Sequence, residues 1–150
     1  MSATGLDVFD KTLHTTNSWL DRLMAMLGPD RQTAWHVLGV VLRSLRDRLP
    51  LDEAVHLGAQ LPLLVRGLYY DQWHKPAEPE RIRSQEEFLA RVGAGLQGGT
   101  RPINTADAVQ AVFTVLDEHV TAGQIEKVKG ALPKDIAALW PQAPAQRKRA

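Results

Sequence analysis

Glu53-Ala54-Val55-His56 has the Glu-x-x-His spacing with which one helix of a bundle offers a carboxylate and an imidazole to a metal ion. A di-iron centre built that way needs a second pair from another helix. The chain repeats itself internally, as developed below, and the positions equivalent to Glu53 and His56 are Gln124 and Lys127. An ammonium group cannot ligate iron, and Glu53 falls in a first helical turn, where the helix dipole favours a carboxylate whatever its function. No metal is expected. The remaining histidines, His14, His36, His74 and His119, are isolated from one another in sequence, and His119 suits the last turn of a helix as a dipole-complementing cation.

Other chemistries lack their residues. The chain has no cysteine, which removes thiolate catalysis, Cys-type zinc sites and iron–sulfur clusters. No serine lies in a Gly-x-Ser-x-Gly elbow, and the glycines at 93, 95, 98 and 99 follow no strand pattern that could make a phosphate-binding loop. Neither catalytic residue nor cofactor is expected. The most unusual local composition is Gly67-Leu68-Tyr69-Tyr70-Asp71-Gln72-Trp73-His74, which gathers three aromatics and several polar groups. Such side chains give large contact area at low entropy cost and suit a ligand or partner surface, with Arg66 just before them as a candidate anion contact. The candidate surface is therefore Arg66, Tyr70, Trp73, Glu53 and His56. Packing is the competing account of the aromatics, and Trp140 at the repeat-equivalent of Tyr69 favours it there.

These residues are carried on helices. Leu6, Phe9, Leu13, Leu20, Leu23 and Leu27 return to one face of a helix over about residues 6–27, with a break expected near Thr15-Thr16-Asn17-Ser18, whose short polar side chains compete for backbone bonds. Gly28-Pro29 ends it. Asp30 is a candidate N-cap for the strongest amphipathic stripe in the chain, Ala34, Val37, Leu38, Val41, Leu42, Leu45 and Leu49. Pro50 stops that helix and Asp52 is placed to cap the next, which runs to Leu61. Pro62 then opens a helix to about Tyr70. Residues 71–83, with Pro76 and Pro79, read as an exposed linker. Ser84-Gln85-Glu86-Glu87 has the form of a capping box and starts a helix that buries Phe88, Leu89, Val92 and Leu96. Thr105 is a candidate cap for Val109, Val112, Phe113, Leu116 and Val120. Thr121 to Gln124 repeats the box with glutamine before Ile125, Val128 and Leu132, and Pro133 opens a short last helix near Trp140.

Shifted by 71 residues, Leu38, Val41, Leu42, Leu45 and Leu49 fall on Val109, Val112, Phe113, Leu116 and Val120 without a gap. Ala54, Leu57, Leu61-Pro62, Leu68 and Tyr69 fall in step on Ile125, Val128, Leu132-Pro133, Leu139 and Trp140. Trp19-Leu20, Arg22-Leu23 and Leu27 align with Phe88-Leu89, Arg91-Val92 and Leu96 at an offset of 69. Any two amphipathic helices look alike, but an ungapped run with a shared Leu-Pro goes beyond that. The expected fold is all-α: one compact bundle of two tandem three-helix repeats, about residues 6–70 and 84–141, in pseudo-twofold or stacked geometry.

Charge places little constraint on partners. Eighteen basic and seventeen acidic residues leave a formal charge of +1 spread over the chain, which is no nucleic-acid footprint. The tail, residues 142–150, ends in Gln146-Arg147-Lys148-Arg149-Ala150 and is expected to be disordered and solvated. No apolar run approaches membrane-spanning length, and Asp7 and Asp10 occupy the place of a signal peptide's apolar core, so a cytoplasmic protein is expected.

The stretch Leu49-Pro50-Leu51-Asp52-Glu53-Ala54-Val55-His56-Leu57-Gly58-Ala59-Gln60-Leu61-Pro62, with Arg66-Gly67-Leu68-Tyr69-Tyr70-Asp71-Gln72-Trp73 after it, resembles the bacterial domain of unknown function 2267 family. The resemblance extends from about Leu6 to Pro141. It implies a small helical cytoplasmic protein of accessory or stress-associated type and supplies no catalytic residues. The expected function is a non-enzymatic interaction or scaffold protein with a protein partner or a second copy of itself. The alternative is a small-molecule or metal-binding bundle, enzymatic or not, with a pocket at Tyr70, Trp73, His56 and Glu53.

Overall fold

The computed structural model describes residues 3–74, 80–99 and 101–141, and among them every regular element is a helix. The helices are α1 (Asp7–Leu27), α2 (Arg31–Arg48), α3 (Leu51–Ala59), α4 (Leu63–Tyr70), α5 (Gln85–Leu96), α6 (Thr105–His119), α7 (Ala122–Ala131) and α8 (Lys134–Ala137). No helix among them is long and apolar enough to cross a membrane.

The two richest apolar stripes make the centre. On α2, Val37, Leu38, Val41, Leu42 and Leu45 are fully buried, and on α6 so are Val109, Val112, Phe113 and Leu116. These two helices pack on each other; α1 crosses onto α6 and α5 onto α2, while α3 meets α7. The short helices α4 and α8 close the ends, α4 against α1, α2 and α3, and α8 against α5 and α7. Proline precedes each of α3, α4 and α8, where its fixed φ starts a helix and its missing N–H costs nothing. The helices expected after Pro62 and Pro133 both form, so each half of the described chain holds four helices and not the three of the expected unit.

Local caps follow the sequence in part. Asp30 accepts from the Gln32 amide, Ser84 and Glu87 form the reciprocal capping box, and Thr121 accepts from Gln124. Three expectations are corrected. Helix α1 is unbroken through Thr15-Thr16-Asn17-Ser18, because Ser18 Oγ donates back to the His14 carbonyl (3.2 Å) and Thr16 is buried on the core-facing stripe. Asn104, one residue before Thr105, caps α6 by accepting from the Asp107 amide. Pro50 occupies the N-cap of α3, leaving Asp52 within its first turn.

Positions aligned by the sequence shift hold matching bonds. Arg22 of α1 pairs with Glu118 of α6 at 3.0 Å, and Arg91 of α5 pairs with Asp47 of α2 at 2.7 Å. The closing aromatics also match in burial: Tyr69 is fully enclosed, and Trp140 stacks on Phe113 with ring centroids 3.7 Å apart.

Candidate functional site

The aromatic junction folds inward. Tyr69 donates its hydroxyl to the Ala54 carbonyl at 2.6 Å, and burial pushes its phenol well above the ordinary tyrosine range. Tyr70 meets Tyr69 edge-on at 5.0 Å and stacks on Trp73 at 5.5 Å. Its hydroxyl lies over Gly58 so closely that a Cβ there would sit 2.2 Å from the oxygen. Glycine is required at position 58 for this close approach. Trp73 in turn covers the Arg46 guanidinium, 5.6 Å from the ring centroid.

Arg66 is turned to the backbone: Nε donates to the Gly58 carbonyl (3.0 Å), and Nη2 donates to the carbonyls of Ala59 (3.3 Å) and Leu61 (2.9 Å). It satisfies carbonyls at the C-terminal end of α3, where a cation also complements the dipole. Glu53 is half-buried with Oε1 unpartnered among the described residues, and His56 is exposed. No group of three or more His, Asp or Glu side chains among the described residues is arranged to hold a metal ion.

A cleft of about 500 Å³ opens beside this junction, between α2, α5, Gln72, His74 and Glu80. His36, Arg43, Arg46 and Asp47 line it from α2, Gln72, His74 and Glu80 from the connecting chain, and Arg91 from α5. Arg46, 4% exposed, is its best-fixed member: Nε donates to Asp47 (2.8 Å), and Nη1 donates to the carbonyls of Tyr69 (2.8 Å) and Asp71 (2.9 Å). Arg91 bridges Asp47 at 2.7 Å and Glu80 at 3.0 Å. The Glu80 amide donates to the Asp47 carbonyl at 3.0 Å. Arg43 reaches the Leu68 carbonyl at 3.2 Å and the exposed Asp71 carboxylate at 3.4 Å. Both ends of the connecting chain are therefore tied to the last turns of α2. Glycines permit α5 to approach: a Cβ at Gly95 would lie 2.7 Å from Val40 Cγ1.

None of the cleft residues belongs to the surface expected from the sequence. A signal was present for one of them, since Arg46 follows Leu42 by four residues and so falls on the apolar face of α2, where a charge needs partners. Asp47, Glu80 and Arg91 come together only through the packing of α5 on α2. The expected basic tail, residues 142–150, and the linker prolines Pro76 and Pro79 lie outside the described residues.

A second surface is apolar. Along α1 the positions 6, 9, 13, 16, 20, 23 share one face; Trp19, Leu20 and Leu23 are buried, whereas Leu6, Val8, Phe9 and Leu13 are 42–53% exposed. The core-facing stripe runs on for two turns beyond the body that covers it.

These features define a helical bundle with ordered polar bonds inside its junction and two distinct surfaces outside it. The profile of a family described as uncharacterized conserved protein (DUF2267) matches residues 16–139, and the chain belongs to that family. A comparison with curated proteins gives no match. The matched region begins at the turn of α1 where burial begins, so the exposed stripe precedes it.

Proposed function

We propose that this chain is a non-enzymatic interaction protein, built from two copies of one helical unit about a pseudo-twofold axis, that binds an apolar protein surface through the first turns of α1. The observation that carries the reading is the uncovered stripe Leu6, Phe9 and Leu13, flanked by Val8. The three half-exposed side chains that share the face amount to roughly 250 Å² of apolar surface, with Val8 about a quarter turn round the helix, a patch of the size that monomers often put to functional use. The duplication is supported by the reciprocal pairs Arg22–Glu118 and Arg91–Asp47. The aligned start of the second copy, at α5, gives the unit no counterpart to residues 7–15, which makes those turns an addition to it. Asp7 and Asp10 on this segment disfavour an anionic lipid surface. A second copy of the chain is the simplest occupant, and pairing two stripes buries on the order of 500 Å², which suits a weak, concentration-dependent dimer. A bacterial, cytoplasmic and stress-associated setting follows the family resemblance.

Sedimentation velocity across roughly 10 μM to 1 mM tests the reading, that range bracketing an interface of this size. A rising weight-average mass that is abolished in Phe9→Lys/Leu13→Lys supports it. A chain that stays monomeric throughout, with the double variant indistinguishable, refutes self-association.

A further inference from the structure

The α2 cleft has no equivalent in charge at the aligned positions of the second half. The bonded pair itself is common to both, Asp47 with Arg91 and Glu118 with Arg22, and is explained by helix packing. What surrounds it differs. His36, Arg43, Ser44 and Arg46 on α2 align with Asp107, Thr114, Val115 and Asp117 on α6. Asp117 accepts the Trp140 indole N–H at 3.0 Å, a local packing bond, whereas Arg46 and Arg43 bring two cations to the wall of an open cleft. We propose that this cleft binds a small organic oxyanion, a carboxylate or phosphate ester, between Arg43 and Arg91.

Donor supply supports the assignment. A guanidinium carries five N–H groups in a planar fork. Arg43 bonds through Nε and Nη2, and Arg91 through Nε and Nη2, so Nη1 of each has no acceptor among the described residues. The three guanidiniums meet three carboxylates, Asp47, Glu80 and the rim residue Asp71, so a ligand would be held by these spare N–H donors and not by uncompensated charge. His36 lines the same wall, but its Nε2 is buried toward Gly99 and is not open to the cleft. Gln72 lines the cleft at φ 59°, in the left-handed region. Size separates an organic ligand from a bare ion: about 500 Å³ lies within the range of small-molecule sites. Val40 and Gly95 offer the remainder of the space an apolar wall.

The test is a ¹⁵N–¹H NMR titration of the full chain with citrate and, separately, phenyl phosphate, each against sodium chloride at matched ionic strength. Saturable shifts confined to the amides of His36, Gln72, His74 and Gly95 are expected with at least one probe, and the probe that responds identifies the oxyanion. Arg43→Gln should weaken binding about tenfold, the loss of one charge-assisted contact, while Arg43→Lys keeps most of it and shows that the wall still folds. Arg22→Gln, at the bonded pair of the other half, should leave binding unchanged. The proposal is overturned if neither probe exceeds the chloride control, if the shifts are as large around Glu118, or if Arg43→Gln binds as the parent does. None of these outcomes depends on self-association through α1.

Discussion

Replacing Arg46 by methionine isolates what a buried guanidinium does in this fold. Methionine keeps an unbranched apolar stem beneath Trp73 and removes the head group. The Tyr69 and Asp71 carbonyls then lose donors at 2.8 and 2.9 Å, and Asp47 keeps only Arg91. Hydrogen bonds from a charged donor to buried acceptors are worth about 1.5–3 kcal/mol each. The Asp71 side of the site is open enough to rehydrate, so the expected loss is about 3–5 kcal/mol, the range for breaking a buried ionic contact by removing one partner. That is a large part of the roughly 5–15 kcal/mol that holds a domain together. At about 2–4 °C per kcal/mol for a chain of this size, the midpoint should fall by on the order of 10 °C. Arg46→Lys should recover less than half, because one ammonium cannot hold two carbonyls and a carboxylate in the geometry of the planar fork. The control is Arg22→Met, whose half-exposed pair with Glu118 corresponds to Arg91–Asp47, expected to cost under about 1 kcal/mol. Urea unfolding followed by tryptophan fluorescence, with m held constant, reads all three. If Arg46→Met unfolds within about 1 kcal/mol of the parent, or no earlier than Arg22→Met, the buried network is not what fastens the junction.

Other substitutions test neighbouring bonds. Gly58→Ala must push the Tyr70 ring off α3, since the new Cβ would lie 2.2 Å from its hydroxyl; a loss of about 1–3 kcal/mol and displaced Tyr70 and Trp73 ring resonances are expected in denaturation and NMR. Tyr69→Phe removes the 2.6 Å bond to Ala54 and should cost about 1 kcal/mol by the same denaturation assay. Because burial raises the Tyr69 phenol, its contribution to stability is complete below the unfolded tyrosine range and is lost as pH rises through and above it; ultraviolet titration should show no more than one of the two tyrosines ionising before alkaline unfolding. Backbone amides of Arg83 and Ser84 lower the Glu87 carboxyl, so its stabilisation holds above the unfolded glutamate range and disappears as pH falls through the folded value; Glu87→Gln should flatten the acid limb of the stability curve.

The helices were legible because their information is periodic. The stripes on α2 and α6 are long, and the proline and Ser-x-x-Glu signals mark starts that the structure keeps. Thr15-Thr16-Asn17-Ser18 misled as a local signal because tertiary burial of Thr16 outweighs the tendency of such side chains to cap. The aromatics at 69–73 were rightly singled out as unusual, but composition does not say which way a ring turns; Gly58, twelve residues upstream of Tyr70, decides that. Arg66 looked like an anion contact because the C-terminal carbonyls it serves belong to a different helix. The cleft was invisible for a simpler reason: Asp47, Glu80 and Arg91 are far apart in sequence, and only the crossing of α5 over α2 makes them neighbours.

The fastening of the connecting chain has a consequence for how the gene can be rearranged. The segment leaves α2 at the Arg46 side chain, through the Asp71 carbonyl, and returns one residue away, where the Glu80 amide meets the Asp47 carbonyl. Its two ends are held at one spot on one helix, so lengthening it adds only loop-closure entropy, about 0.6 kcal/mol for each doubling. A guest domain, a fluorescent reporter or a pair of new termini placed between these ends should leave the bundle intact.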